Sequence, residues 1–302
     1  MIWDEFLRHF RFCDEEDSGL SDEEQERKGP KNRPKHTRKR IHQAKKNFLE
    51  KFKTASYILC DSVALCLLFS IMERYNRQLL LPEIGEEGQA RLKAARVLIV
   101  GVGGLGSPIA LYLAGAGIGT IGLIDNDTVS ENNLQRQVLY TEAEIGLPKA
   151  IQAQKRLEAL NSNIRINAYP TRLTPDNAKE IIADYDIIVD GCDNFATRYL
   201  IDDTCAILNK VYVYGAIRAF EGQVSVFLYD KSGKRYRDLY PDEKEMLSMP
   251  HPPKGVMGVT PGLVGCAEAN EVIKIICGYG DILAGKLWQI NLKTMETYTI
   301  LL

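Results

Sequence analysis

One hexapeptide constrains this chain more than any other feature: the glycine turn GVGGLG, residues 101–106, directly behind the apolar run RVLIVG, residues 96–101. A short continuous apolar run of this kind fits a strand buried on both faces, and residues 107–116 behind the turn fit a helix. Gly101, Gly103 and Gly106 fall at the G-x-G-x-x-G spacing. Glycine there permits the tight turn and lets the backbone come close to phosphate oxygens at a helix N-terminus. Asp125 closes the next apolar run, TIGLID (residues 120–125), near the distance at which an acid meets ribose hydroxyls. These features predict a nucleotide site and leave the nucleotide open, because an NAD-dependent enzyme would look the same. A turn that only packs helix on strand would also carry these glycines.

The rhythm of the chain predicts the rest of the fold. Polar, amphipathic residues 73–93 read as one or two helices. Residues 149–160 read as a helix, IRINAYP (164–170) as a third strand and 177–183 as a short helix. The run YDIIVDGCDN (185–194) contains a fourth strand. Residues 196–209 are helical, and VYVYGA (211–216) is a fifth strand. Strand and helix alternating in this way imply an α/β chain with a Rossmann-like, doubly wound, mostly parallel sheet. Beyond Gly215 the pattern changes, so the sheet is expected to continue into C-terminal antiparallel strands. GQVSVFLYD (222–230) alternates like a strand with one wet face. Residues 231–254 are polar and carry Pro241, Pro250, Pro252 and Pro253, which predicts a long loop of the kind that binds something or moves. Residues 264–277 are helical, and 286–302 read as a terminal hairpin.

The segments behind the strands narrow the nucleotide. DNDTVSENNLQRQ places Asp127, Asn132, Asn133, Arg136 and Gln137 behind the second strand; EIGLPKA offers Lys149 at a helix start; Asp193 and Asn194 follow the fourth strand. In such sheets the C-terminal strand ends face the ligand crevice. A dinucleotide's pyrophosphate is served largely by the glycine turn and the helix dipole. A triphosphate with Mg2+ needs cations on the departing phosphates and a carboxylate for the metal. Arg136, Lys149 and Asp193 meet that need. Taken singly, each has a plainer reading: a surface ion-pair partner, a solvated helix residue and a helix cap. In RYNRQLLLPEIGEEGQ (74–89), Arg77 precedes the sheet and suits a role across a dimer interface, or simply a surface helix.

Composition excludes several classes. The chain of 302 residues is 45% apolar with net charge −2, a globular balance with no basic excess for nucleic acid. Its seven cysteines (13, 60, 66, 192, 205, 266 and 277) form no C-x-x-C pair, which argues against a disulfide framework and a cysteine zinc site and favours a reducing, cytoplasmic setting. Residues 1–71 stand apart from 72–302. An acidic stretch (14–26) leads into a basic one (28–53) of the kind that stays solvated, and then into the apolar run 55–72, interrupted by Asp61. Three readings compete: a membrane anchor, a buried or self-associating helix, and a translation start at Met72. The last is favoured, because a full domain begins there.

From about Met72 to Leu302 the chain resembles the ThiF/MoeB/HesA adenylyltransferases, relatives of the ubiquitin-activating enzymes. The resemblance runs through RYNRQ, GVGGLG, LIDNDTVSENNLQRQ, GLPKA, GCDN, GAIRAFEGQVSVF and GVTPGLVG. It implies a homodimer that binds ATP and Mg2+ and adenylates the Gly-Gly C-terminus of a ubiquitin-like sulfur-carrier protein of ThiS or MoaD type, for thiamine or molybdopterin synthesis. By matching motif, Arg77 would reach the partner subunit's ATP, Gly104 would lie against the phosphates and Asp125 would bind ribose. Asn133, Arg136 and Lys149 would contact phosphates, with Asp127 in the same nucleotide-binding run. Asp193 would act through Mg2+ and matter most for adenylation. Arg218 lies in a matching segment without an assigned role.

Two departures qualify the resemblance. Many relatives carry zinc on two C-x-x-C pairs; here RYRDLY puts Arg235 and Asp238 where cysteines would be expected, so zinc is not expected. Near the crossover loop, MPHPPKGV offers His251 and no cysteine. Cys192 reads as a packed turn residue and Cys266 as core, so adenylation without an enzyme thioester is expected. The alternatives are an NAD-dependent oxidoreductase, and an inactive relative that only holds a carrier.

Overall fold

In the computed structural model, the structure describes residues 73–229, 233–249 and 255–302. The acidic, basic and apolar N-terminal runs, and the three readings of them, lie outside the described residues. No described helix is long and apolar enough to cross a membrane.

Eight strands form one sheet: β1 (Arg96–Val100), β2 (Thr120–Ile124), β3 (Arg165–Tyr169), β4 (Ile187–Asp190), β5 (Val211–Arg218), β6 (Glu221–Phe227), β7 (Lys286–Asn291) and β8 (Glu296–Leu301). Their order is β3-β2-β1-β4-β5-β6-β7-β8. The five strands β3 to β5 pair in parallel, with Val97 opposite both Ile121 and Ile187. From β5 onward every pairing is antiparallel, with Gly215 opposite Val224 and Trp288 opposite both Val224 and Thr299. The sheet is therefore the doubly wound, mostly parallel sheet with an antiparallel extension that the sequence predicts.

The helices are α1 (Gly85–Ala94), α2 (Gly106–Ala116), α3 (Lys149–Leu160), α4 (Ala178–Ala183), α5 (Phe195–Leu208), α6 (Tyr236–Leu239), α7 (Glu243–Ser248) and α8 (Val259–Cys277), preceded by a helical stretch at residues 73–79. Alternation along β1 divides the core. Val97 and Ile99 face a layer built from α1, α2, α3 and α8, whereas Leu98 and Val100 face α4, α5 and a group of tyrosines. The four apolar side chains of β1, Val97 to Val100, are all buried, which explains why they form an unbroken apolar run behind the exposed Arg96.

Three expectations change. Residues 233–249, expected as loop, contain α6 and α7, where Asp242 caps α7 by accepting the Glu245 N–H at 2.9 Å. The strand expected to have one wet face is buried on both faces, because α8 covers Val224 and Val226 while tyrosines cover Phe227. The C-terminal helix starts at Val259 rather than residue 264, since Pro261 sits in its first turn, where a missing N–H costs nothing. At the far edge all six β8 residues are exposed.

Candidate active site

Chain direction splits between β1 and β4. β1 leads through α2 to β2 on one side, while β4 lies on the other. Crevices at such switch points receive ligands. A cleft of about 1260 Å3 opens there and continues over the antiparallel strands.

Glycine lets the two strands leave the sheet side by side. Gly101 has φ +90°, and a β-carbon on it would sit 2.6 Å from the Gly191 carbonyl oxygen; a β-carbon on Gly191 or Gly106 would overlap the Gly101 carbonyl in turn. Gly101, Gly103 and Gly104 line the cleft, whereas Gly106 is buried behind the turn. The Val102 N–H donates to Asp125 Oδ2 at 2.9 Å and the Asp127 N–H to Asp125 Oδ1 at 2.8 Å. Asp125 thereby ties the glycine turn to the end of β2. Burial pushes its carboxyl above the ordinary carboxylate range, opposed by those two N–H groups and by Lys149.

The polar wall comes from the segment behind β2. Lys149 starts α3 and is only 4% exposed; its Nζ pairs with Asp127 Oδ2 at 3.1 Å. It is therefore not a solvated helix residue. Arg136 lines the cleft, with Nη1 donating to the Asn132 carbonyl at 3.0 Å. Gln137, to which the sequence assigned no role, is buried over the turn with its Oε1 unpartnered. Asn133 lies on the short 3-10 helix of that segment, does not line the cleft, and donates to Asn132 Oδ1 at 2.8 Å.

Asp193 stands on the turn behind β4, exposed at the mouth of the cleft. It is not the helix cap; Asn194 is, accepting the Thr197 N–H at 2.9 Å. A buried network beneath fixes this turn. Arg198 Nε donates to Asp190 Oδ2 at 2.8 Å, and its Nη2 donates to the carbonyls of Cys192 at 2.8 Å and Gly215 at 3.2 Å. Tyr212 and Cys192 also donate to Asp190. Burial, and then the Asp190 charge, push the Cys192 thiol up, which disfavours the thiolate a covalent role would need. Cys266, the other cysteine singled out, is half-buried on α8. The Asp190–Arg198 pair shows no signal in one sequence, because an acid ending a strand and an arginine in a helix look ordinary until packed together.

The antiparallel half supplies the other end of the cleft. Gln223 Nε2 donates to the hydroxyls of Tyr214 at 2.6 Å and Tyr240 at 2.8 Å, and Arg218 lines the same wall. Behind β5, Glu268 of α8 is 0% exposed with neither carboxyl oxygen partnered, lying where a Gly215 side chain would be. Arg77 is exposed and does not line this chain's cleft. The structure thus gathers Gly101, Gly103, Gly104, Asp125, Asp127, Arg136, Lys149 and Asp193, and leaves out Gly106, Asn133 and Arg77.

Comparison with known proteins agrees with this geometry. A sulfur carrier protein adenylyltransferase of Thermus thermophilus is 49% identical over 221 residues, covering 72% of this chain and 82% of that protein. A probable molybdopterin-synthase adenylyltransferase of Porphyra purpurea is 48% identical, covering 77% and 62%. The probable adenylyltransferase/sulfurtransferase MoeZ of Mycobacterium tuberculosis is 46% identical, covering 75% and 59%. The chain thus spans about three-fifths of the length of the last two. Among solved structures, Escherichia coli MccB with ATP superposes with a TM-score of 0.64 at 25% identity, covering 71% of this chain and 65% of that one. PaaA superposes with a TM-score of 0.67 at 26% identity, covering 77% and 73%. The ThiF family model matches residues 75–302, and with its sheet, switch-point cleft and glycine turn the chain belongs to the ThiF family.

Proposed function

We propose that this chain uses ATP to adenylate the C-terminal carboxylate of a ubiquitin-like sulfur-carrier protein of ThiS or MoaD type; two of its relatives are named a sulfur carrier protein adenylyltransferase and a probable molybdopterin-synthase adenylyltransferase. The observation that supports this most is the opening of Arg136, Lys149 and Asp193 onto the cleft that holds the glycine turn. The residues also fit a nucleotide. The turn presents Gly101, Gly103 and Gly104 to the cleft, Asp125 lies beside it at the end of β2, and Gln137 keeps a buried acceptor unpartnered.

The substrate carboxylate is already ionised at neutral pH, so no general base is needed. Its oxygen attacks the α-phosphorus while the bond to the β-phosphate oxygen breaks, and pyrophosphate leaves. The residues' task is to align the two groups and stabilise charge on the departing phosphates. Lys149 and Arg136 supply cations for this, and backbone N–H groups of the turn add partial charge. Asp193 would hold Mg2+, which when bound screens the phosphate oxygens. The Asp190–Arg198 network keeps Asp193 at the cleft mouth. In a homodimer, the exposed Arg77 would serve the partner's site.

Pyrophosphate exchange into ATP, dependent on a MoaD-type or ThiS-type carrier, tests the reading, with calorimetry of Mg2+-ATP and NAD beside it. Exchange that falls at least about 100-fold in Asp193→Ala is the expected outcome. Binding of NAD without ATP would overturn it in favour of an oxidoreductase.

A further inference from the structure

Residues 236–249 form the outer wall of the antiparallel half of the cleft. α6 has four residues and α7 six, too short to be stable alone, so tertiary contacts must hold them. Those contacts are concentrated on α5. Arg237 forks Asp203, with Nε to Oδ1 at 2.8 Å and Nη2 to Oδ2 at 2.7 Å, and its Nη1 reaches Glu243 Oε2 at 2.8 Å. Arg235 Nη2 lies 2.9 Å from Asp203 Oδ1 and 3.0 Å from Asp202 Oδ2. Asp202 is buried and also accepts the Tyr229 hydroxyl at 2.7 Å and the Tyr236 N–H at 3.0 Å. The Arg237 guanidinium lies 4.8 Å over the Tyr199 ring, whose hydroxyl donates to the Tyr240 carbonyl at 2.8 Å. The hydrogen bonds from Arg237 hold the Asp203 carboxyl below its ordinary range, as a used ion pair requires.

The other side of this segment faces the cleft. The Tyr240 hydroxyl reaches Gln223, and Met246, Leu247 and Met249 make an apolar wall. The amides of Gln223, Gln289 and Asn291 line the same half of the cleft. A cleft lined by apolar side chains together with amides suits an extended peptide, whose backbone can hydrogen-bond to the amides while its small side chains meet the apolar groups.

We propose that Arg235 and Arg237, gripping Asp202, Asp203 and Glu243, form an ion-pair clasp that holds residues 236–249 as the wall orienting the extended C-terminus of the acyl substrate. The clasp is a positioning device and lies outside the phosphate site, so it governs the peptide and not ATP. This rests on the adenylation reading for the identity of the peptide.

Two measurements on the full chain test it. Amide hydrogen exchange reads the clasp without any substrate: Arg237→Gln accelerates exchange across residues 236–249 and leaves β1 unchanged. Carrier-dependent pyrophosphate exchange with a MoaD-type protein reads its use. KM for the carrier rises about tenfold in Arg237→Gln, the equivalent of ~1.4 kcal/mol, while ATP affinity stays within about twofold. Asp203→Asn does the same, and the double variant is little worse than either alone, because both break one unit. Unchanged amide exchange, parallel loss of ATP affinity, or multiplying effects in the double variant would overturn the clasp. Wild-type protein that binds ATP but shows no carrier-dependent exchange would instead overturn the adenylation reading, and the amide-exchange arm would still decide the clasp.

Discussion

Replacing Glu268 with glutamine should stabilise the protein at neutral pH. The carboxyl is 0% exposed, neither oxygen has a partner, and it lies against Gly215. Burial first, and then the Asp190 charge, push its pKa well above the reference value of 4.5, with Arg198 opposing. The folded chain therefore keeps a proton that the unfolded chain releases above that reference value. A raised folded-state pKa gives stability that is fully present below 4.5 and is lost as pH rises towards the folded value, at ~1.4 kcal/mol per unit. Glutamine has nearly the same shape and releases no proton. Urea unfolding of both proteins from pH 5 to pH 7, followed by circular dichroism, should show Glu268→Gln gaining on wild type with pH, at up to ~1.4 kcal/mol per unit. The difference isolates Glu268, because Asp125 and Asp202 are raised and Asp203 lowered in both proteins. A difference that stays flat with pH, or a variant less stable than wild type at pH 7, would refute the reasoning.

Other outcomes follow from the site. Gly191→Ala drives a methyl into the Gly101 carbonyl and should abolish ATP binding by calorimetry while the protein stays folded by circular dichroism. Because burial raises the Asp125 carboxyl, its ribose-accepting form is lost on acidification at a higher pH than for an exposed acid. ATP affinity should therefore fall on acidification sooner than an exposed acid would make it, and that fall should be absent in Asp125→Asn. Chelation of Mg2+ should stop pyrophosphate exchange, and restoring Mg2+ should return it.

The fold was legible where periodicity and breakers carry it. The apolar β1 run, the glycine turn and the strand-helix alternation placed five parallel strands, because strands covered on both faces leave no polar positions. The wall at 236–249 was not legible. Its proline and charge content reads as loop, and only docking of Arg235 and Arg237 on α5 makes its two short helices form. Position behind strand ends was enough to place Lys149 and Asp193 at the cleft. Arg198 and Glu268 were missed and Gln137 was left without a role, because what they do arises from burial and from neighbours far apart in sequence, and a buried carboxylic acid in a helix looks like a solvated one.

The aromatic make-up of the sheet has an optical consequence. Residues 73–302 contain one tryptophan, Trp288 on β7, at the antiparallel end of the sheet, while the phosphate end has none. With Trp3 replaced by phenylalanine, the chain carries a single indole emitter, half-buried on β7 and packed with the core layer that includes α8. Its emission then reports on the packing of the antiparallel end of the sheet separately from the glycine-turn end, without attaching a dye.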